Sequence, residues 1–195
     1  MNTILIPIIF ASFLNPQADK FQVFIGPSYS SYLLYQDQDE TKETWQWGIQ
    51  AGIANIIPKL GIKFSATSVR YDTTMVFGKY SYRYTPLTIT LNYNILPFLK
   101  TGLIKMEIET GFGWYLWQGL FNDEVITLPT GEKMDEKDLG FTGGLELQIK
   151  PLDNLALFSS LNYHYLTSSN IYKYGYFDKD EKLLVNGFGL KIFFP

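Results

Sequence analysis

The chain has no cysteine, a single histidine and few charged residues for its length. Of its 195 residues 18% are charged, whereas soluble domains average about a quarter. Without cysteine there is no disulfide, no thiolate metal ligand and no cysteine nucleophile. The net charge of −3, with no basic block, argues against nucleic-acid binding. No apolar run approaches the ~20 residues of a membrane helix, so a membrane-spanning form of this chain would have to be a β-barrel.

The aromatic residues, by contrast, are abundant and follow a period of two. They make up 17% of the chain, a composition typical of strands and of the aromatic girdles of membrane barrels. In the last segment apolar side chains take every second position, at Phe188, Leu190, Ile192 and Phe194. Mostly glycine and lysine lie between them. Side chains alternate faces along a strand, so this segment has one apolar face and one small or polar face.

Seven further segments repeat this alternation. We predict strands over about 21–34, 44–56, 62–67, 87–93, 104–116, 141–149, 157–165 and 184–194. The connectors between them are predicted to alternate between long and short, with 72–79 as one of the long ones. Residues Tyr80–Tyr84 are expected to form an aromatic belt, and Pro86 is expected to mark a bulge or an irregular start. The pattern predicts an all-β, eight-stranded antiparallel up-and-down barrel.

The charges decide which face points outward. Over 104–116 the charged Lys105, Glu107 and Glu109 share one face, and the opposite face carries no charge. A soluble lipocalin-like ligand-binding barrel, which is one alternative, would place its apolar face inward. A membrane barrel places apolar residues toward lipid and polar residues toward the lumen. We therefore expect a transmembrane barrel, with Trp45, Trp47 and Trp114 in an outward girdle.

A barrel of eight strands is only just wide enough to be filled by side chains. The inward charges and amides should therefore meet as a polar network that pairs internally, because unpaired buried ions are costly. Its expected members are Lys63, Lys105, Glu107, Glu109, Glu146, Gln148 and Lys191. We interpret the network as structural. The alternative is a narrow water or ion path, which would make the protein a channel or transporter for small solutes.

The first residues form a separate segment. An apolar stretch ends at Asn15–Pro16–Gln17–Ala18, a length that suits the core of a signal peptide. We predict a signal peptide over 1–18 and a barrel domain over 19–195.

Two motifs give the chain a family resemblance. Gly111–Phe112–Gly113–Trp114–Tyr115 and the terminal Gly-Phe-Gly-Leu-Lys-Ile-Phe-Phe resemble those of small eight-stranded bacterial outer-membrane barrels, such as OmpX, OmpW and the OmpA transmembrane domain. The resemblance implies the outer membrane of a Gram-negative-type bacterium, with outer-membrane lipids and lipopolysaccharide as partners. It also implies that the barrel-assembly machinery reads Phe188, Leu190, Ile192 and Phe194 as an assembly signal. Pro195 after Phe194 departs from the family pattern.

The residues favour no catalytic site. His164 faces the lumen and Ser159 faces outward, so a Ser-His-acid arrangement lacks hydrogen-bond reach. Glu107 and Glu109 lie about 7 Å apart along a strand, a spacing known in glycosidases, but inside a filled barrel. We therefore expect a non-catalytic barrel with a structural or surface-interaction role and no metal or cofactor. Any surface ligand of the loops stays unspecified.

Overall fold

A computed structural model of the chain describes residues 21–35, 41–75, 78–96, 103–167 and 181–194. Within these ranges the regular structure consists of ten strand segments. They are β1 (Gln22–Tyr35), β2 (Thr41–Ile57), β3 (Leu60–Thr67), β4 (Val69–Met75), β5 (Gly78–Asn94), β6 (Ile104–Phe121), β7 (Glu124–Val125), β8 (Asp135–Leu152), β9 (Leu155–Thr167) and β10 (Glu181–Phe194). The described part of the chain contains no helix with the length and apolarity that a membrane crossing requires. The signal peptide predicted over 1–18 lies outside the described residues.

The strand segments form a closed antiparallel barrel whose wall has eight strands, and each strand of this wall is here called a stave. Each stave pairs with the next stave in sequence, and β1 pairs with β10 from Val23–Phe194 to Tyr35–Lys182 to close the wall. The segments β3 and β4 are two parts of one stave because both pair with β5 in one continuous register. The short β7 only extends the rim beside β6. The predicted eight-stranded up-and-down barrel is confirmed.

The break between β3 and β4 falls at Ser68, opposite Thr85 and Pro86. Proline has no backbone N–H to donate to a ladder, so the ladder lapses there without a change of register. On its other side Pro86 pairs regularly with Tyr115 of β6. Pro86 therefore marks neither the expected bulge nor an irregular strand start: the proline leaves a gap in one ladder without inserting a residue, and β5 already begins at Gly78.

The two rims of the barrel differ. The turn rim carries the tight turns at Pro58–Lys59 and Asp153–Asn154, and the loop rim carries the 122–134 segment. The predicted alternation of connector lengths is only partly correct. Residues 72–79 are not a long loop, because β4 runs to Met75 and pairs back onto Gly78. The strands continue past the apolar belt, and their polar and tyrosine residues pair there as a hairpin.

The outward face of the barrel is apolar along the middle and lower part of the staves. Its exposed side chains include Ile25, Trp47, Phe64, Leu91, Ile108, Phe112, Phe141, Leu147, Leu161, Phe188 and Ile192. Toward the loop rim, Tyr29 lies against Trp45, Trp47 and Phe188, with ring centroids 4.9–5.7 Å from its own. Two residues beyond Tyr29 toward the loop rim, the outer face of β1 becomes polar, since Ser31 donates to Glu43 Oε1 at 2.6 Å. This is the girdle expected where a barrel leaves the lipid.

Beyond the girdle the apolar residues change sides. On six staves an outward apolar residue is followed toward the loop rim by an inward one three positions away: Tyr29 and Tyr32, Ala66 and Val69, Leu87 and Tyr84, Trp114 and Trp117, Tyr163 and Leu166, Phe188 and Val185. A spacing of three on a strand moves the apolar face from outside to inside. The reason is the surrounding medium: lipid favours apolar residues outside, and water above the lipid favours them inside.

The inward residues at the loop rim form an apolar core, here named the rim core. It contains Tyr32, Leu34, Val69, Tyr71, Tyr84, Tyr115, Trp117, Met134, Leu166, Leu183 and Val185. The 122–134 segment folds over it through Met134 and the partly buried Ile126 and Leu128. The expected aromatic belt over 80–84 is thus wrong, because Tyr82 and Tyr84 point inward to this core. A smaller turn-side core of Phe24, Ala156 and Phe193 lies at the other end.

Candidate functional site

The middle of the lumen contains an ionic layer built from four staves. Lys63 of β3, Glu109 of β6, Glu146 of β8 and Lys191 of β10 are all buried. Lys63 donates to Glu109 and, at 3.1 Å, to Glu146 Oε2, while Lys191 donates to Glu146 Oε1. The pairs connect staves that are not neighbours, which is possible because glycine occupies many of the other inward positions.

Amide side chains extend the ionic layer. Asn92 donates to Glu109 Oε1 at 2.7 Å and to Glu107 Oε2 at 3.2 Å. Gln148 donates to Glu146 Oε1 at 2.7 Å. The structure therefore brings Lys63, Glu107, Glu109, Glu146, Gln148 and Lys191 together, and it places Lys105 half-buried beside Glu107 toward the turn rim. All seven residues face the lumen. That their role is structural stays a prediction.

The charges of the seven lumen residues balance. Three lysines, Lys63, Lys105 and Lys191, face three glutamates, Glu107, Glu109 and Glu146. The ammonium of Lys191 also lies 4.7 Å from the Phe24 ring centroid and 5.5 Å from that of Phe158. Balance matters here because the effective desolvation cost of a buried ion is several kcal/mol, and only close partners recover it.

The three glutamates also resemble a ligand set for a cation. One oxygen from each of Glu107, Glu109 and Glu146 lies within 4.8 Å of the others. The Lys63 ammonium already contacts two of these carboxylates. In chemical terms the lysine supplies the positive charge that a metal ion would otherwise bring to the cluster.

A polar chamber of about 60 Å³ lies between the ionic layer and the rim core. Its lining is mostly hydroxyl and amide groups, with Lys63 and Glu109 at its floor and His164 and Tyr32 near its roof. His164 Nδ1 is hydrogen-bonded to the Tyr115 hydroxyl of the rim core. The lone histidine is therefore held by a tyrosine at the border between polar and apolar layers.

Sequence reasoning missed an acidic group inside the loop rim, above the apolar belt. Burial, and secondarily the charge of Glu136, raise the pKa of Asp138 to about 6. Burial also raises the pKa of Glu181 to about 7, although a hydrogen bond from Tyr84 opposes the shift. The signal is present in the sequence as inward-phase acids at 136, 138 and 181, but all three lie outside the strands predicted over 141–149 and 184–194.

A second missed cluster lies outside the loop rim, on the β4–β5 hairpin. Arg70 Nε donates to Asp72 Oδ1 at 2.7 Å, and its Nη2 donates to Ser81 at 2.8 Å and contacts Asp123. Burial opposes ionisation of Asp72, but hydrogen bonds from Lys79, Arg70 and Ser81 outweigh it and lower the pKa of Asp72 to about 2. The cluster ties the hairpin to the start of the 122–134 segment.

The predicted assembly-signal residues lie in β10 and face outward. Phe188, Leu190, Ile192 and Phe194 are all exposed, and the strand is paired with β1 on one edge and β9 on the other. They form part of the apolar outer belt. Their recognition during assembly stays a prediction.

Comparisons with known proteins agree with this architecture. The sequence model of the outer membrane protein β-barrel domain family matches residues 3–191. A search of curated protein sequences gives no significant match. Among solved structures, the fold is similar to Neisserial surface protein A, with a TM-score of 0.64, 11% identity and coverage of 87% of this chain and 96% of that one.

Two further structures share the fold. The attachment invasion locus protein Ail of Yersinia pestis has a TM-score of 0.60 and 14% identity, over 90% of this chain and 99% of that one. A major outer membrane protein of Thermus thermophilus has a TM-score of 0.63 and 13% identity, over 89% and 99%. At such identities the likeness concerns the fold alone.

Proposed function

The chain belongs to the outer membrane protein β-barrel domain family, and we propose that it is a non-conducting, non-catalytic barrel that presents its loop rim for surface interactions. It is an outer-membrane protein with eight antiparallel staves. The observation that carries the proposal is the filled lumen. The rim core, the ionic layer and the turn-side core follow one another along the barrel axis.

The arrangement disfavours a solute path. At the turn rim the rings of Phe24 and Phe193 have centroids 5.6 Å apart, and Lys150 lies 4.0 Å from the Phe193 centroid. At the loop rim the Tyr71 hydroxyl donates to the Tyr32 carbonyl at 3.2 Å across the interior. A hydrated ion would have to displace packed aromatic side chains at both ends, so the narrow-channel alternative is the weaker one.

The arrangement also disfavours catalysis. His164, the side chain best suited to general acid or base work, is fully enclosed and paired with Tyr115. Glu107 and Glu109 are held by Asn92 inside the barrel. No lipid or polysaccharide could reach these groups without opening the wall. The lipocalin-like alternative requires an apolar interior, whereas here the middle of the lumen is ionic.

We further propose the partners that the location implies. Outer-membrane lipids and lipopolysaccharide would contact the apolar belt and the girdle around Tyr29. The barrel-assembly machinery would read the outward residues of β10. A surface ligand would meet the hairpins of the loop rim.

Single-channel recording tests the proposal directly. The full chain is refolded and reconstituted in planar lipid bilayers, with heat-modifiable gel migration as proof of folding. We expect no stepwise currents. Stepwise currents from the folded protein would replace the proposal with the narrow-channel alternative. Separately, outer-membrane lipids incubated with the protein should keep their masses, and a deacylated or otherwise modified lipid would contradict the non-catalytic role.

A further inference from the structure

One seam of the barrel wall opens on the loop-rim side of the girdle. The ladder between β2 and β3 ends at Gly48 and Thr67, beside Trp47 of the girdle. Further toward the loop rim, within the described residues, β4 pairs only with β5 and β2 pairs only with β1. The edge of β4 that faces β2 therefore has no partner strand over Val69–Met75, and this stretch is here named the open edge.

The hydrogen-bond pattern of the hairpin shows which backbone groups lie on the open edge. Asn122 donates its backbone N–H to the carbonyl of Lys79 at 2.9 Å, so the backbone groups of Lys79 point toward β6. Lys79 and its partner Thr74 are therefore a non-hydrogen-bonded pair of the β4–β5 ladder, and such pairs alternate with bonded ones. The amides of Thr74, Asp72 and Arg70 consequently point away from β5, onto the open edge.

The open edge lacks three features with which proteins usually protect an unpaired strand, namely proline, a bulge and an inward-pointing charge. β4 contains no proline and pairs with β5 in one continuous register. It turns the uncharged Val69 and Tyr71 inward, where they are buried in the rim core. Its outward charges, Arg70 and Asp72, form an ion pair with each other. An edge of this kind is a template for the addition of another strand.

We propose that the open edge is a docking site for an extended segment of a water-soluble protein partner, which adds to β4 as a further strand. Main-chain hydrogen bonds to Arg70, Asp72 and Thr74 would provide affinity, and the alternating side chains of the segment would provide specificity. The inference rests on the proposed function, because it names the means by which the loop rim would bind a surface ligand.

The surroundings of the open edge define the chemistry of such a segment. On the inner side Tyr71 is packed into the rim core, so every second residue of the segment should be apolar. On the outer side Arg70 contacts both Asp72 and Asp123, and Lys79 contacts Asp72. These two cations and two anions balance, so the outward residues of the segment should be polar and uncharged.

The geometry of the membrane disfavours a second copy of the chain as the partner. Strands of a barrel tilt by about 35–45° from its axis, and all copies share one orientation in the membrane. The β4 strands of two neighbouring barrels would therefore cross at about 70–90°, which is twice the tilt, whereas neighbouring strands of a sheet run nearly side by side. A segment that approaches from the aqueous phase is free of this restriction.

Amide hydrogen exchange, resolved by NMR on the refolded full chain in detergent micelles, tests the inference. The probe is an acetylated and amidated peptide of alternating threonine and valine, as long as the open edge, with one lysine beyond each end for solubility. We expect the amides of Arg70, Asp72 and Thr74 to exchange rapidly in the free protein and at least about tenfold more slowly with the peptide bound. The same peptide with every amide N-methylated keeps its side chains, lacks the donors and should give no protection.

Three results would overturn the inference. They are no protection by the peptide, equal protection by its N-methylated form, and amides that already exchange slowly in the free protein because another part of the chain covers them. The proposed function is tested separately by its single-channel recording. A folded protein that shows neither currents nor peptide binding would keep the proposed function and lose only the docking site.

A matched pair of variants at one position gives a second readout. Thr74→Pro removes one N–H donor from the open edge and takes no hydrogen bond from the β4–β5 ladder, because that amide points away from β5. Thr74→Val keeps the donor. We expect Thr74→Pro to bind the peptide at least about fivefold more weakly and Thr74→Val to bind it like the unchanged protein, with heat-modifiable migration as proof that both fold. Equal binding by the two variants would contradict the role of the edge.

Discussion

Glu146 is the residue on which the ionic layer most depends. It is fully buried and accepts hydrogen bonds from Lys63 at 3.1 Å, from Lys191, and from Gln148 at 2.7 Å. Glu146→Gln keeps the shape of the side chain and removes its charge. Lys63 would keep its ion pair with Glu109, but Lys191 would be left with a neutral amide in place of a carboxylate, besides the rings of Phe24 and Phe158.

The expected loss of stability arises because the Lys191 ammonium would remain buried without its carboxylate partner. Removing one partner of a buried ion pair typically costs about 3–5 kcal/mol, because the other charge remains buried and uncompensated. We expect Glu146→Gln to lower the free energy of unfolding by about that amount. The double variant with Lys191→Met removes the stranded charge as well. Replacing both members of a buried pair is often close to neutral, so the double variant should be more stable than Glu146→Gln alone.

Urea unfolding of the barrel in lipid vesicles, followed by tryptophan fluorescence, measures these differences. Glu124→Gln is the matched control, because Glu124 is exposed on the rim, and a surface change of this kind usually stays within about 0.5 kcal/mol. The reasoning is refuted if Glu146→Gln is as stable as Glu124→Gln. It is equally refuted if adding Lys191→Met makes the protein less stable still.

Three further predictions concern the rim, the wall and the terminus. Folding raises the pKa values of Asp138 and Glu181 to about 6 and about 7, so the folded state binds the extra protons. Their contribution to stability should be complete below about pH 4 and lost as the pH rises to about 7. Urea midpoints against pH would measure this slope, and Asp138→Asn with Glu181→Gln should flatten it; an unchanged slope would contradict the assignment. A Cβ at Gly111 would lie 1.9 Å from the Ile89 carbonyl oxygen, so Gly111→Ala should cost at least about 1–3 kcal/mol by overpacking. Gly143→Ala, whose nearest contact would be at 3.8 Å, should be nearly neutral in the same assay, and equal losses would argue against a steric cause. Phe194→Ala should reduce the amount of protein assembled in the outer membrane while refolding of the purified chain in detergent persists; normal assembly would remove Phe194 from the signal.

The strand faces could be predicted from the sequence because a period of two leaves little ambiguity within the apolar belt. The contrast between Ile108 and Glu109 is enough to orient β6. The pairing partners of Glu109 could not be predicted. Lys63 and Glu109 come from β3 and β6, which are not neighbours in the wall, so their contact depends on barrel diameter, stagger and the glycines between them.

The rim core could not be predicted from the assumption that apolar side chains face outward along the whole length of each strand, because that assumption holds only within the lipid. Tyr84 and Leu87 differ by three positions, and so do Trp114 and Trp117. These spacings mark where lipid gives way to water and the apolar face turns inward. If a spacing of three between apolar residues is taken to mark the edge of the lipid, the sequence predicts that Tyr84 points inward. It then also predicts that 72–79 belongs to a hairpin continuing above the membrane.

The orientation of the two faces is the central claim, and two tryptophans on one strand test it. Trp114 is 46% exposed on the outer face, whereas Trp117, three residues further, is 5% exposed within the rim core. Variants that each keep one of the four tryptophans, with phenylalanine at the others, are refolded into vesicles of brominated lipid. The account predicts strong quenching of Trp114 fluorescence by the lipid bromines and little quenching of Trp117. An unquenched Trp114, or a Trp117 quenched as strongly, would contradict it.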